Sequence, residues 1–130
     1  MKPNNLERSI LDWISARWQV EELRTQLAAI TVVSRKYTGV GSYTDFAHPA
    51  GSPRILESLP PGRPHGPISG PELEGPEVEH GACSLLYLED GFVSFLEIAA
   101  YGSKYPESAE GVVISSSQPE QVREGIQSDR

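Results

Sequence analysis

The fold is decided by a stretch at residues 82–101, which reads ACSLLYLEDGFVSFLEIAAY. Two apolar-rich runs, Ala82–Leu88 and Phe92–Tyr101, lie on either side of an Asp-Gly pair formed by Asp90 and Gly91. This pair is the strongest short-range signal of a β-hairpin turn. The sequence therefore predicts an antiparallel hairpin over this stretch.

The register of the hairpin depends on the turn. With two residues in the turn, the pairs on one face are Leu88–Val93 and Leu86–Phe95. Glu97 then lies on this same apolar face, two residues beyond Phe95. A bulged turn would shift the pairing by one residue.

Glu97 is the first candidate functional residue, because it is a lone carboxylate in an apolar and aromatic strand. Burying a carboxylate without a partner is costly, and desolvation raises its pKa towards the range of a general acid or base. In a catalytic role, Tyr101 or His80 would assist it. In a structural role, it would bind Arg35, Tyr37 or the backbone.

Two helical stretches precede the strands. Asn4 or Asn5 can cap the first, in which Glu7 occupies the first turn and complements the helix dipole. Its apolar face is formed by Leu6, Ile10, Trp13 and Ile14. The second has the same periodicity at Val20, Leu23, Leu27 and Ile30. Neither Gly nor Pro separates the two, so one kinked helix and two helices both fit.

Further strands are predicted at Thr31–Tyr37, Ser42–Phe46 and Val112–Ile114. Together with the hairpin they predict an α+β domain over residues 1–114. In this domain, one or two N-terminal helices pack on one face of an antiparallel sheet of four or five strands.

Two segments have a different composition. Residues 48–76 hold eight of the eleven prolines, which disfavours a central strand, so we expect a long Pro/Gly-rich loop that is either functional or disordered. Residues 115–130 are polar, and we expect a flexible tail there.

The net charge of −7 is unevenly distributed. Residues 64–103 contain seven acidic side chains and neither Lys nor Arg. Such a block repels phosphate backbones, so we expect no nucleic-acid binding, and it suits a basic protein partner or a hard cation. The candidate binding surface consists of Glu72, Glu74, Glu77 and Glu79.

Other features narrow the class of protein. No run reaches the ~18 apolar residues of a membrane span, and residues 1–8 do not read as a secretory signal, so we expect a cytoplasmic protein. Cys83 is the single cysteine, and we expect a buried thiol. Glu77, Glu79 and His80 have some metal-ligand character, but an extended chain places His80 on the opposite side. We therefore predict neither a metal nor a cofactor.

Three short motifs are spread over the chain. They are Tyr-Thr-Gly-x-Gly at residues 37–41, Leu-Glu-Asp-Gly at residues 88–91, and Leu-Glu-x-x-x-Tyr-Gly at residues 96–102. This combination resembles a widespread group of small uncharacterised bacterial proteins over roughly residues 6–114. Ala99 departs from the pattern, which has a bulkier and often aromatic residue at that position. Some small acidic bacterial proteins of this general kind are toxin immunity proteins, so the resemblance implies an immunity-type binding role.

Three functions from different classes follow from these observations. The first is a non-enzymatic protein-binding module of immunity type that presents its acidic surface to a basic partner. The second is a small-molecule-binding protein or hydrolytic enzyme that uses Glu97. The third is a structural protein that self-associates, for example as a homodimer, through a sheet edge or a tyrosine-rich face. A deep pocket at Glu97 would favour the enzyme, and a flat acidic surface would favour the binding module.

Overall fold

The computed structural model describes residues 1–57, 59 and 67–115. Its elements are, in chain order, α1 (Asn5–Trp18), α2 (Glu21–Ala29), β1 (Thr31–Tyr37), β2 (Gly41–Ala47), β3 (Ile68–Ser69), β4 (Leu73–Gly75), β5 (Val78–Glu89), β6 (Phe92–Ala100) and β7 (Val113–Ile114). The predicted α+β class, with N-terminal helices on an antiparallel sheet, is confirmed. The sheet has seven strands rather than four or five, because β3 and β4 lie in the Pro/Gly-rich segment and are too short to produce a recognisable sequence pattern, whereas β7 falls within the strand predicted at Val112–Ile114.

The sheet is built around the hairpin of β5 and β6. Its strand order is β1-β2-β6-β5-β4-β7, with β3 also paired to β5, and every pair is antiparallel. The β1–β2 hairpin joins the β6 side, and the short strands join the β5 side. The long central hairpin therefore links all the other strands into one sheet.

The chain forms two helices rather than one kinked helix. Gln19 ends α1 in the left-handed conformation, with a φ angle of 53°, and α2 begins at Glu21. The helices bury their apolar stripes against one face of the sheet. The fully buried side chains of this layer include Ile10, Leu11, Ile14, Leu23, Leu86 and Leu96.

The central turn is the predicted two-residue turn. Asp90 and Gly91 have φ angles of 53° and 83°, and Leu88 pairs with Val93 as predicted. The register then shifts, because Ser94 has no partner on β5. Beyond this bulge Tyr87, rather than Leu86, pairs with Phe95.

This bulge makes one prediction about Glu97 wrong. Side chains alternate between the two faces of a strand, so one extra residue moves every following side chain to the opposite face. Leu96 and Ile98 therefore join Val93 in the core, whereas Phe95 and Glu97 lie on the other side of the sheet. The predicted apolar surroundings of Glu97 on the Val93 face do not form.

The segment predicted to be an irregular loop is partly regular. Within residues 48–76, β3 and β4 form two short strands against β5. Ile55 is buried, and its N–H donates to the carbonyl oxygen of Gly91 at 2.9 Å. The rest of that prediction falls on residues 58 and 60–66, and most of the predicted tail falls on residues 116–130, which lie outside the described residues. Neither helix of the described chain has the length and apolar character needed to cross a membrane.

Glu7 connects α1 to the sheet through an ion pair between its buried carboxylate and the more exposed Arg35, a contact that the sequence did not reveal. Its carboxylate accepts hydrogen bonds from Arg35 Nε at 2.7 Å, from Arg35 Nη2 at 2.8 Å and from Thr44 Oγ1 at 3.1 Å. It also completes a capping box with Asn4. Burial raises the pKa of Glu7, but the bonds from Arg35, Asn4 and Thr44 together outweigh burial and leave the pKa below its usual value.

We expect Glu7→Gln to lower the free energy of unfolding by about 2–3 kcal/mol at neutral pH, because it weakens several charge-assisted bonds at once. The lowered pKa means that the ionised carboxylate stabilises the fold above its unfolded pKa near 4.5. This contribution is lost as the pH falls through the folded pKa, so the difference between variant and wild type should shrink in acid.

Urea unfolding of both proteins across this pH range provides the measurement. Glu21→Gln is the matched control, because the Glu21–Arg24 pair is exposed and its loss should cost less than about 0.5 kcal/mol. Equal losses for the two variants would contradict the structural role of Glu7.

Candidate functional site

The side of β2, β6 and β5 that faces away from the helices carries aromatic and polar side chains. We call this side the outer face; its central residues are Tyr43, Asp45, Cys83, Leu85, Tyr87, Phe95, Glu97 and Ala99. Three cross-strand rows define it: Tyr43–Glu97–Leu85, Asp45–Phe95–Tyr87 and Gly41–Ala99–Cys83. The members of this face on β5 and β6 are half-buried, which leaves part of each side chain accessible.

Glu97 lies at the centre of the outer face between two tyrosines. Its Oε2 accepts a hydrogen bond from the Tyr43 hydroxyl at 3.1 Å, and its Oε1 accepts one from the Tyr87 hydroxyl at 3.0 Å. The bond to Glu97 raises the pKa of Tyr43, and burial followed by the bond to Glu97 raises that of Tyr87. Both phenols therefore keep their protons at neutral pH and act as donors.

The partners of Glu97 differ from those predicted. Arg35 faces the helices and binds Glu7, so it cannot reach the outer face. Tyr43 and Tyr87 take that place, and the sequence did not single them out because their proximity to Glu97 depends on the β2–β6 pairing and on the bulge. Cys83 was predicted to be buried, but it is half-buried on the outer face, opposite Ala99.

Three aromatic rings lie beside the carboxylate of Glu97. The rings of Tyr87 and Phe95 are stacked, with centroids 4.3 Å apart and planes 11° apart. The ring of Tyr43 is tilted by 57° against Phe95 at a centroid distance of 6.0 Å. Glu97 and these three rings therefore form a continuous polar and aromatic patch.

Tyr101 was predicted to assist Glu97, but it belongs to a second group of residues and binds Glu72 instead. Tyr101 directly follows β6, and its hydroxyl donates to both carboxylate oxygens of Glu72, at 2.8 and 3.1 Å. This bond, together with burial and the neighbouring Cys83, raises the pKa of Tyr101. Tyr101 thus links the end of β6 to Glu72, the acidic residue that directly precedes β4.

Three of the four predicted acidic surface residues share one shallow depression with His80. Its lining, along β4 and the start of β5, includes Glu72, Glu74, Glu79 and His80. Glu77 is exposed in the β4–β5 turn, outside this lining. Within the part of the chain that the structure describes, no three His, Cys, Asp or Glu side chains form a group that could hold a metal ion.

Two of the three motifs that carry the resemblance, at residues 37–41 and 96–102, meet in the structure. Val40 and Gly39, in the β1–β2 turn, accept backbone hydrogen bonds from Ala100 at 2.8 Å and Tyr105 at 3.0 Å. Gly41 lies so close to β6 that a Cβ atom there would overlap the carbonyl oxygen of Ile98. These glycines therefore serve the packing of β2 on β6.

Comparison with family models, curated proteins and solved structures finds no match. The resemblance to small bacterial proteins therefore stays a prediction.

We expect Gly41→Ala to destabilise the protein by about 2–3 kcal/mol, because the added methyl group overlaps backbone that cannot move independently. Gly111→Ala is the matched control, since its Cβ would only touch Pro76 Cδ at 3.4 Å, and it should change stability by less than about 0.5 kcal/mol. Thermal unfolding of the two variants gives the comparison. Equal stability would show that β2 does not pack on β6 in this way.

For Glu97→Gln we expect a stability loss below about 1 kcal/mol, because the side chain is half-exposed and the amide oxygen still accepts a tyrosine hydroxyl. Urea unfolding beside Glu7→Gln, which makes the same substitution at a buried carboxylate, checks this expectation. A loss as large as that of Glu7→Gln would assign Glu97 a structural role instead.

Proposed function

We propose that this chain is a non-enzymatic protein-binding module of immunity type, whose outer face and acidic depression receive a basic partner. The observation that carries this proposal is the one-sided sheet. Both helices pack on the same face, and the described residues leave half-exposed aromatic side chains and a carboxylate on the other. An accessible patch of this composition is typical of interaction sites.

Charge supports a basic partner. Strands β3 to β6 all come from residues 64–103, the segment without Lys or Arg. Glu72, Glu74 and Glu79 line the depression, and Glu97 lies at the centre of the outer face. Complementary charge favours the encounter with a basic surface and disfavours nucleic acid.

The arrangement of the candidate catalytic residues supports binding rather than catalysis. Glu97 binds two tyrosines on an open sheet face, and Tyr101 binds Glu72. The Nε2 atom of His80 lies 3.9 Å from a carboxylate oxygen of Glu79. These residues do not converge on one enclosed cavity, which a small-molecule or hydrolytic site would require.

Self-association is supported less well by the same contacts. The edge of β1 is partly covered, because Val32 exchanges backbone hydrogen bonds with Met1 at 2.6 and 3.0 Å. A bulge follows at Val33, and bulges protect sheet edges from pairing. If two copies packed through their outer faces, acidic side chains of one copy would also lie against those of the other.

The test uses a short peptide of Lys and Arg with Gly and Ser spacers, titrated by fluorescence anisotropy at several salt concentrations. Reversing two charges of the depression, as Glu74→Lys with Glu79→Lys, should weaken binding about tenfold or more. The control reverses Asp12 and Glu21, two exposed carboxylates on the helices, with the same change in net charge.

A weaker effect of the control reversal supports a localised acidic surface. Equal effects of the two reversals would show that net charge alone attracts the peptide, which contradicts the proposal. For the immunity role, we expect a toxin gene beside this one and inhibition of that toxin by the purified chain.

A further inference from the structure

The carboxylate of Glu97 retains unused hydrogen-bonding capacity. Each oxygen accepts one tyrosine hydroxyl, Oε1 from Tyr87 and Oε2 from Tyr43. An ionised carboxylate offers about four acceptor positions, so roughly two remain for a further donor. The two tyrosines also fix the side chain, which lowers the conformational entropy lost when a ligand binds.

The charge of Glu97 is not neutralised within the described residues. Glu7, Glu21 and Asp90 each have an Arg partner, whereas no described Lys, Arg or His lies within 4.0 Å of Glu97. The closest cation in the cross-strand row is Lys36, which lies opposite Tyr43 on β1, two strands away from β6. A negative charge therefore remains at the centre of the aromatic patch.

The neighbouring rings suit a planar cation. Phe95 and Tyr87 form a stacked pair in the row next to Glu97, and Tyr43 leans against Phe95 from β2. Aromatic faces attract cations, and guanidinium groups more often than ammonium groups, because the planar guanidinium can stack and bind a carboxylate through two N–H groups at once.

We propose that the outer face binds one arginine side chain of a basic protein partner. Its guanidinium donates to both oxygens of Glu97 and lies against the rings of Phe95 and Tyr87. This inference rests on the proposed function and names the group of the partner that the outer face recognises. Charge complementarity selects a basic partner rather than a second copy of this chain, whose own outer face would present Glu97 to Glu97.

The experiment compares short peptides that differ at one position, which is Arg, Lys or citrulline. Citrulline keeps the shape of arginine but is uncharged. The wild-type protein should bind the Arg peptide about tenfold more tightly than the citrulline peptide, as expected for a charge-assisted bidentate bond. The Lys peptide should bind with intermediate affinity. Because only the probe changes, this comparison holds even where a variant fails to fold.

Two variants locate the recognition. Glu97→Gln should abolish the preference for Arg over citrulline, whereas Glu74→Gln, a matched change in the acidic depression, should leave it intact. The NMR ring signals of Tyr43 and Tyr87 should shift on titration with the Arg peptide and stay unchanged with citrulline. Thermal melts confirm that each variant is folded.

The outcomes separate this inference from the proposed function. If no basic peptide binds, the proposed function fails. If basic peptides bind and depend on Glu74 and Glu79, but Glu97→Gln leaves the preference for Arg intact, only the arginine site is overturned. Equal affinity for the Lys and Arg peptides also overturns the arginine site. A homodimer whose dissociation constant changes in Glu97→Gln would overturn it too, because the outer face would then bind a second copy of the chain.

Discussion

One extra residue in β6 determines which side chains form the core and which form the surface. The buried positions of β6 are Val93, Leu96 and Ile98, with a first interval of three residues and a second of two. A regular strand could bury only some of them, because side chains alternate with a period of two. The bulge at Ser94 removes this conflict, since all three then point to the helices. The same shift places Phe95 and Glu97 on the outer face, so the core and the candidate site have one common origin.

Two buried polar side chains, Gln26 and Glu7, hold the helices on the face of the sheet opposite the outer face. The Gln26 amide donates to the carbonyl oxygens of Pro53 at 2.7 Å and Gly91 at 2.9 Å, and accepts from the Val93 N–H at 2.9 Å. It thereby ties α2 to the central turn, as Glu7 ties α1 to β1 and β2. Because buried polar groups need specific partners, these bonds fix the position of each helix more narrowly than apolar packing does. Because both helices are held on the face that forms the core, the outer face of the sheet stays accessible.

The sequence predicted local features well and long-range contacts poorly. The turn at Asp90 and Gly91 depends on adjacent residues and was recognised, as were the helices and the strands β1 and β2. Glu97 was singled out by its apolar neighbours in the chain, but its tyrosine partners come from other strands and depend on a bulge at Ser94 that was not predicted, because Val93 and Phe95 also fit a regular alternating strand. Glu7 was assigned only to the helix dipole, because a glutamate in the first turn has the same local pattern whether it is exposed or paired with Arg35. The short strands β3 and β4 were not predicted, because two or three residues carry no alternating pattern and become strands only by pairing with β5.

The position of Glu97 would also determine which surfaces can pack against the partly aromatic outer face. An exposed apolar patch favours self-association, and a charge at its centre opposes this, because two copies would have to desolvate like charges together. The same charge costs little in the free chain, where it is half-exposed and accepts two tyrosine hydroxyls. Any partner that covers Glu97 would remove water from its carboxylate. A basic partner would replace that water by a direct hydrogen bond, whereas an acidic or apolar partner would not. One carboxylate in this position would therefore disfavour a second copy of the chain and favour the proposed cationic partner.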